Sequence, residues 1–250
     1  MNKNKKLLIP YITAGDPSLA ATEKLVYAFE KAGADIIELG IPFSDPLADG
    51  PIIQASHQRA LKNKVTLKAV IKLVAKLRKK SRVPLVFMLS VNLIYRYGVA
   101  KFVADAQRVG LNGLVIPDLP PEERTRPEFV ALQNSKLNLI ALVAPNTPEK
   151  RIQKIAAQAS GFIYLIAVAG VTGVRAKFSQ FVAPQVKIIR KYTKLPVCIG
   201  FGISNPAQAK AAAQLADGVI VGSAIVKLLE TNKSFSKVAG LVRSLRQAID

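Results

Sequence analysis

The sequence predicts an α/β protein built as a single domain, one closed (β/α)8 barrel over residues 1–250, on three observations. Eight short apolar runs of strand character recur along the chain, helical stretches separate them, and no linker, low-complexity tract or change of composition divides it. Alternation of strand and helix demands parallel pairing, because each crossover must carry the chain back across the sheet. Runs that are apolar at nearly every position suit strands covered on both faces. Eight such units in 250 residues fit a closed barrel better than an open, doubly wound sheet.

The elements follow in order. After the basic MNKNKK, LLIPYIT from Leu7 reads as the first strand, and a Ser start signal opens SLAATEKLVYAFEKAG as the first helix. DIIELGI from Asp35 is the second strand, and VTLKAVIKLVAKLRKK is an amphipathic helix whose cations fall between its apolar positions. PLVFMLS from Pro84, GVAKFVADAQRVG and GLVIPD from Gly113 continue the pattern. In DLPPEE, Pro121 and the two glutamates suit the first turn of a following helix. LIALVA from Leu139, TPEKRIQKIAAQAS, FIYLIAV from Phe162 and FSQFVAPQVKIIRKYT come next. PVCIGF from Pro196, NPAQAKAAAQLA and DGVIVGS from Asp217 complete the set, with a helix starting at Ala224.

Composition excludes several function classes. No run of about 18 apolar residues is free of charge, so nothing reads as a membrane span. The apolar stretch near the N-terminus is short and broken by Pro10, which argues against a signal peptide and for a mature protein in a reducing compartment. Cys198 is the only cysteine, so disulfides and a cysteine-based metal site are out, and its apolar run predicts an inert buried thiol. The net charge of +20 would suit an anionic partner. Its cations are dispersed and not interleaved with aromatic residues, which predicts a solvated exterior and no nucleic-acid site.

The stretch IIELGIPFSDPLADGP carries the chemistry. Side chains alternate along a strand, so Ile37 and Leu39 share one face and Glu38 the other. With the apolar pair against the helices, Glu38 points into the barrel near the C-terminal end of its strand. A buried carboxylate there is costly unless paired or used, and the strand candidates hold few basic residues to pair it. Asp49 stands in the following loop, at the end of a barrel where active sites are built. Asp45, before Pro46, reads as a turn-former. Three glycine-bearing stretches, AGVTG, GFGIS and VGSAIV, stand where late strands pass into helices. Their backbone N–H groups and the helix start would hold a phosphate. His57, the only histidine, has no second histidine to ligate a metal and is expected to be partly exposed or capping.

PYITAGDPS, ELGIPFSDPLADGP, GLVIPDLPPEE, YLIAVAGVTG, GFGIS and ADGVIVGSAIVK occur in this order, and with them the chain resembles the tryptophan synthase alpha chain family nearly end to end. The resemblance implies the barrel fold and cleavage of indole-3-glycerol phosphate to indole and glyceraldehyde 3-phosphate. It puts the family's catalytic carboxyls on Glu38 and Asp49 and substrate-pocket aromatics on Tyr11 and Tyr164. Thr172 and Gly173 match a mobile active-site loop, and Phe201, Gly202, Gly222 and Ser223 match substrate and phosphate contacts. It further implies no cofactor on this chain, and a pyridoxal-phosphate beta chain as partner in an α2β2 complex. Contacts to that chain would lie around Pro42–Asp45 and Asp118–Glu123. The expected location is the cytoplasm, or a plastid stroma if organelle-encoded. Ser90 departs from the family, which commonly has Tyr there.

Two other readings stay open on the residues alone. Another phosphosugar barrel would share the late glycine loops without needing PFSDPLADG, and a basic barrel could bind nucleic acid.

Overall fold

The computed structural model describes residues 5–46, 49–167, 174–200, 202–232 and 234–250; the side chains of 174–181 and of 232 are not described. Its first half runs β1 (Leu7–Thr13), α1 (Leu19–Lys31), β2 (Ile37–Gly40), α2 (Pro51–Lys62), α3 (Leu67–Leu77), β3 (Leu85–Met88), α4 (Val91–Tyr97), α5 (Val99–Arg108) and β4 (Gly113–Val115). Two short 3-10 turns, Pro121–Thr125 and Pro127–Phe129, lead to α6 (Val130–Gln133) and β5 (Asn138–Val143). Then come α7 (Glu149–Gln158), β6 (Ile163–Ile166), α8 (Val174–Tyr192), β7 (Val197–Gly200), α9 (Pro206–Leu215), β8 (Gly218–Val221), α10 (Ser223–Asn232) and α11 (Phe235–Ile249).

The strands pair in parallel in chain order, and β8 returns to β1 through Leu7↔Gly218 to Pro10↔Val221, closing the barrel. All eight sequence-predicted strands are present, most of them shorter than the apolar runs that mark them. Ile41, Leu89 and Ile116 extend those runs and stay buried, but they lie beyond the last ladder pairs because the strand tops diverge into loops.

Two apolar clusters follow the alternation of side chains. Leu8, Ile12, Ile37, Leu39, Leu85 and Phe87 join the layer between barrel and helices. Leu7, Ile9, Val86, Val115, Ile140, Tyr164, Cys198 and Ile220 fill the interior, so the barrel is packed below its mouth. Cys198 is buried there, and burial pushes its thiol well above the usual range, as expected of an inert residue.

Three helix starts match their sequence signals. Ser18, Thr66 and Asn205 accept hydrogen bonds from the third residue onward and cap α1, α3 and α9. In α3, Leu67, Val70, Ile71, Val74 and Leu77 are buried, whereas Lys68, Lys72, Lys76, Lys79 and Lys80 in and just beyond it are exposed. There the cations form a solvated face. The helix expected from Phe178 starts at Val174 and contains Pro184.

The lower rim is tied by α11, an element with no counterpart among the predicted helices. Arg246 donates to the Lys6 carbonyl at 2.9 Å and to Asp35 Oδ2 at 2.8 Å, and Asp35 also accepts the Leu8 N–H. Among the described residues, no helix is long and apolar enough to cross a membrane.

Candidate active site

The upper end of the barrel opens into a cavity of about 120 Å³ whose lining includes Tyr11, Asp49, Ile53, Met88, Tyr164, Gly202, Gly222 and Ser223. Six sequence-predicted positions, from β1, the β2–α2 loop, β6, and the segments after β7 and β8, therefore meet at one place. Glu38 stands one layer deeper, 2% exposed, paired in register with Tyr11 on one side and Val86 on the other. Thr172, Gly173 and Phe201 lie outside the described residues.

Glu38 has the features of a working carboxyl. Its Oε1 is buried and has no hydrogen-bond partner among the described residues. Burial, and secondarily the charge of Asp49, push its pKa up to about 8. It is therefore protonated at neutral pH. Asp49 follows a loop and immediately precedes Gly50, the N-cap of α2, so the positive end of that helix faces it. Its backbone is pinned, its N–H donating to the Pro46 carbonyl at 3.0 Å and its own carbonyl accepting from Gln54 Nε2 at 2.8 Å. Burial raises its pKa to about 6, which leaves it ionised at neutral pH.

The tyrosines owe their positions to glycines on neighbouring strands. A Cβ at Gly40 would fall on the Tyr11 hydroxyl, and one at Gly200 on the Tyr164 hydroxyl and ring. Each ring thus occupies the space a side chain would take. Burial first, and nearby carboxylates second, hold both phenols well above their usual range, so both remain neutral.

The opposite wall is made of backbone. Gly202 has φ +76°, a left-handed conformation suited to glycine. The Gly222 carbonyl accepts the Val226 N–H at 3.0 Å, so the N–H groups before it have no partner within α10, and Gly222, Ser223 and Ala224 line the cavity. Such a helix start attracts a phosphate.

His57 departs from the sequence expectation. It is 4% exposed, on the inner face of α2, with Phe43 N–H donating to its Nδ1 at 3.1 Å and the Tyr11 hydroxyl 3.2 Å from its Nε2. Asp49 Oδ2 lies 3.6 Å from the same nitrogen. Thr13 and Ser56, also unpredicted, join this cluster. A signal was available: Ile53, Ser56, His57 and Ala60 have the spacing of one helix face, and all four are buried. Among the described residues, no group of three or more His, Cys, Asp or Glu side chains could hold a metal ion.

Asp45 accepts a local hydrogen bond from the Ser44 hydroxyl at 3.1 Å. Ser90 caps α4 and donates to Asp118 at 2.6 Å, and Asp118 also accepts the Val91 N–H, so the segments after β3 and β4 are tied together. Pro121–Thr125 opens with Pro121 followed by Glu122 and Glu123 in its first turn, as the sequence predicts.

Comparison with known proteins gives a consistent result. The family model described as tryptophan synthase alpha chain matches residues 1–248. The chain is 47% identical over 251 residues to the tryptophan synthase alpha chain of Geotalea uraniireducens (strain Rf4), covering 99% of this chain and 93% of that one. Among solved structures, the alpha subunit of tryptophan synthase from Legionella pneumophila superposes with a TM-score of 0.88 at 37% identity, covering 98% of this chain and 93% of that one. A tryptophan synthase structure from M. tuberculosis does so with a TM-score of 0.89 at 32% identity, covering 99% and 94%.

Proposed function

The chain belongs to the tryptophan synthase alpha chain family, carbon–carbon lyases that cleave indole-3-glycerol phosphate to indole and glyceraldehyde 3-phosphate in tryptophan biosynthesis, and we propose that Glu38 and Asp49 carry that reaction here. The observation behind this is a protonated, buried carboxyl with an unpartnered oxygen, beside a second, ionised carboxylate, under a cavity that ends at a helix start.

Cleavage needs the indole C3 protonated, so that the ring becomes an iminium electron sink. The hydroxyl on the carbon bonded to C3 must then lose its proton as the C–C bond breaks. The bond's electrons return to the ring, and the hydroxyl carbon leaves as the aldehyde. Glu38 gives the first proton and takes the second, ending in its starting state. A pKa of about 8 makes it an acid at neutral pH and, once ionised, a competent base. Asp49 accepts the indole N–H and stabilises the positive ring. Tyr11 and Tyr164 wall the indole, and Gly202, Gly222 and Ser223 hold the phosphate at the start of α10. Thr172, Gly173 and Phe201 are assigned to the same pocket on the resemblance alone.

These steps are proton transfers between side chain and substrate, so the chain is proposed to need no cofactor of its own. A pyridoxal-phosphate beta chain in an α2β2 assembly is the proposed partner. Pro42–Asp45 and Asp118–Glu123 are its proposed contact regions, and Tyr95 on α4, 62% exposed, adds apolar surface beside the Ser90–Asp118 tie. The cytoplasm is the proposed location, with a plastid stroma as the alternative.

The test is indole release from indole-3-glycerol phosphate by the purified chain and by Glu38→Gln, each with and without a tryptophan synthase beta chain. A loss of roughly 10²–10⁴-fold in Glu38→Gln is expected. An inactive wild-type chain, even with a competent beta chain, would overturn the assignment.

A further inference from the structure

We propose that His57 is a positioning residue for this site, its imidazole held as the Nε2–H tautomer so that one ordered hydrogen-bond chain orients Tyr11 and steadies Asp49. This rests on the roles proposed above for Tyr11 and Asp49, whereas His57, Thr13 and Ser56 stand behind the cavity lining.

The proton order follows from the two ends of the chain. Phe43 N–H lies 3.1 Å from Nδ1, and a backbone amide only donates, so Nδ1 carries no proton. A ring charged by a second proton would set donor against donor there. Burial works in the same direction, lowering the imidazole pKa to about 4, while the Asp16 carboxylate opposes it less strongly. Asp16 is itself gripped by Arg59 at 3.0 and 2.8 Å. The neutral ring therefore carries its proton on Nε2.

From Nε2 the order is forced. The Tyr11 oxygen at 3.2 Å accepts, so the Tyr11 O–H donates onward to Thr13 Oγ1 at 3.3 Å. Thr13 donates to Ser56 Oγ at 2.5 Å, because the Ser56 hydroxyl is committed to the Ile53 carbonyl at 2.7 Å. A backbone donor closes one end and a backbone acceptor the other. Every proton in the chain is spoken for, so Tyr11 offers the substrate its ring and no free hydroxyl proton.

Asp49 is the second group in reach of Nε2. At 3.6 Å the contact is longer than a hydrogen bond, so the Nε2 proton serves Tyr11 first and faces the carboxylate as a nearby positive edge. The same ring holds the β2–α2 loop through Phe43. Loop, tyrosine and carboxylate thus share one anchor.

Because the chain contains a single histidine, ¹⁵N-histidine labelling gives one imidazole pair in the NMR spectrum of the intact protein. An unprotonated Nδ1 and a protonated Nε2, unchanged between about pH 8 and pH 5.5, are expected for a ring shielded from its ordinary titration. An Nδ1–H tautomer, or titration near the ordinary value, would overturn the proposal.

Two variants separate the ring nitrogens in kinetics. His57→Asn can still accept the Phe43 N–H but cannot reach Tyr11, and His57→Gln reaches Tyr11 and Asp49 but gives up Phe43. Positioning through Nε2 predicts a loss of about tenfold in kcat for His57→Asn with a smaller change in KM, and partial recovery in His57→Gln. Wild-type kcat in folded samples of both variants would sink the idea. If the wild-type chain itself released no indole, the proposed reaction would fail while the NMR measurement still decided the tautomer.

Discussion

On the β1–α2 side of the barrel mouth, Tyr11, Thr13, Ser56 and His57 are side chains that each require a partner, and Glu38 and Asp49 are carboxyls under pKa pressure from burial. On the β7–β8 side, Gly200, Gly202 and Gly222 offer little but backbone. The division follows the proposed chemistry. Moving a proton requires groups whose charge can change in a dry environment. Holding a phosphate that stays charged requires fixed dipoles that do not titrate. The first side should therefore suffer when side chains are removed, and the second when they are added.

After Glu38→Gln, the largest effect is expected from the charge of Asp49. Asp49→Asn keeps the shape and should lower kcat by roughly 10²–10³-fold. In the wild-type chain, kcat/KM should fall below about pH 6 as Asp49 gains a proton and above about pH 8 as Glu38 loses one. Those limbs belong to the coupled pair. A wild-type profile flat from pH 5 to 9 would remove both carboxyls from the rate-determining chemistry.

Glu38 should also cost stability. Its folded pKa, about 8, lies above the ordinary 4.5, so the folded state favours the neutral form. The sign is then fixed: its contribution is fully present below about pH 4.5 and is lost as pH rises through about 8. Glu38→Gln should match the wild type near pH 4 and exceed it at pH 9 by on the order of a few kcal/mol. Urea unfolding midpoints at the two pH values measure this. An equal difference at both would mean that the carboxyl is not strained by burial.

Much of this asymmetry was legible in the sequence, and its gaps have physical causes. The inward direction of Glu38 follows from alternation in a four-residue strand, and the glycine loops announce themselves by composition. A lone histidine speaks only to metal ligation, and the burial of His57 follows instead from the helix stripe it shares with Ile53, Ser56 and Ala60. Its hydrogen bonds to Phe43 and Tyr11 span 14 and 46 residues, and no local pattern encodes contacts of that separation. The α11 clamp at the lower rim is hidden from the sequence for the same reason, since Arg246 meets Asp35 across 211 residues. Ser90 looked like a departure from the family, and its position in space supplies its use as a cap tied to Asp118.

The smallest expected effects sharpen the comparison most, because they grade what adding one methyl group does around the mouth. At Gly200 the new Cβ would overlap Tyr164, a packed side chain inside the barrel, and Gly200→Ala should cost about 1–3 kcal/mol as that ring is displaced. At Gly222 it would meet the Tyr11 Cβ at 3.4 Å, an ordinary contact, so stability should change little while the methyl group crowds the backbone proposed to hold the phosphate. Gly222→Ala should therefore raise KM more than it lowers the unfolding midpoint. Gly50 has open space around its Cβ position and φ −74°, so Gly50→Ala should cost only about 0.5–1 kcal/mol, as a poorer N-cap. Unfolding midpoints and steady-state kinetics on the three variants give the ranking. Equal losses at all three would mean that glycine is retained there for backbone freedom alone, and that the close approach of Tyr164 to β7 contributes nothing to its presence.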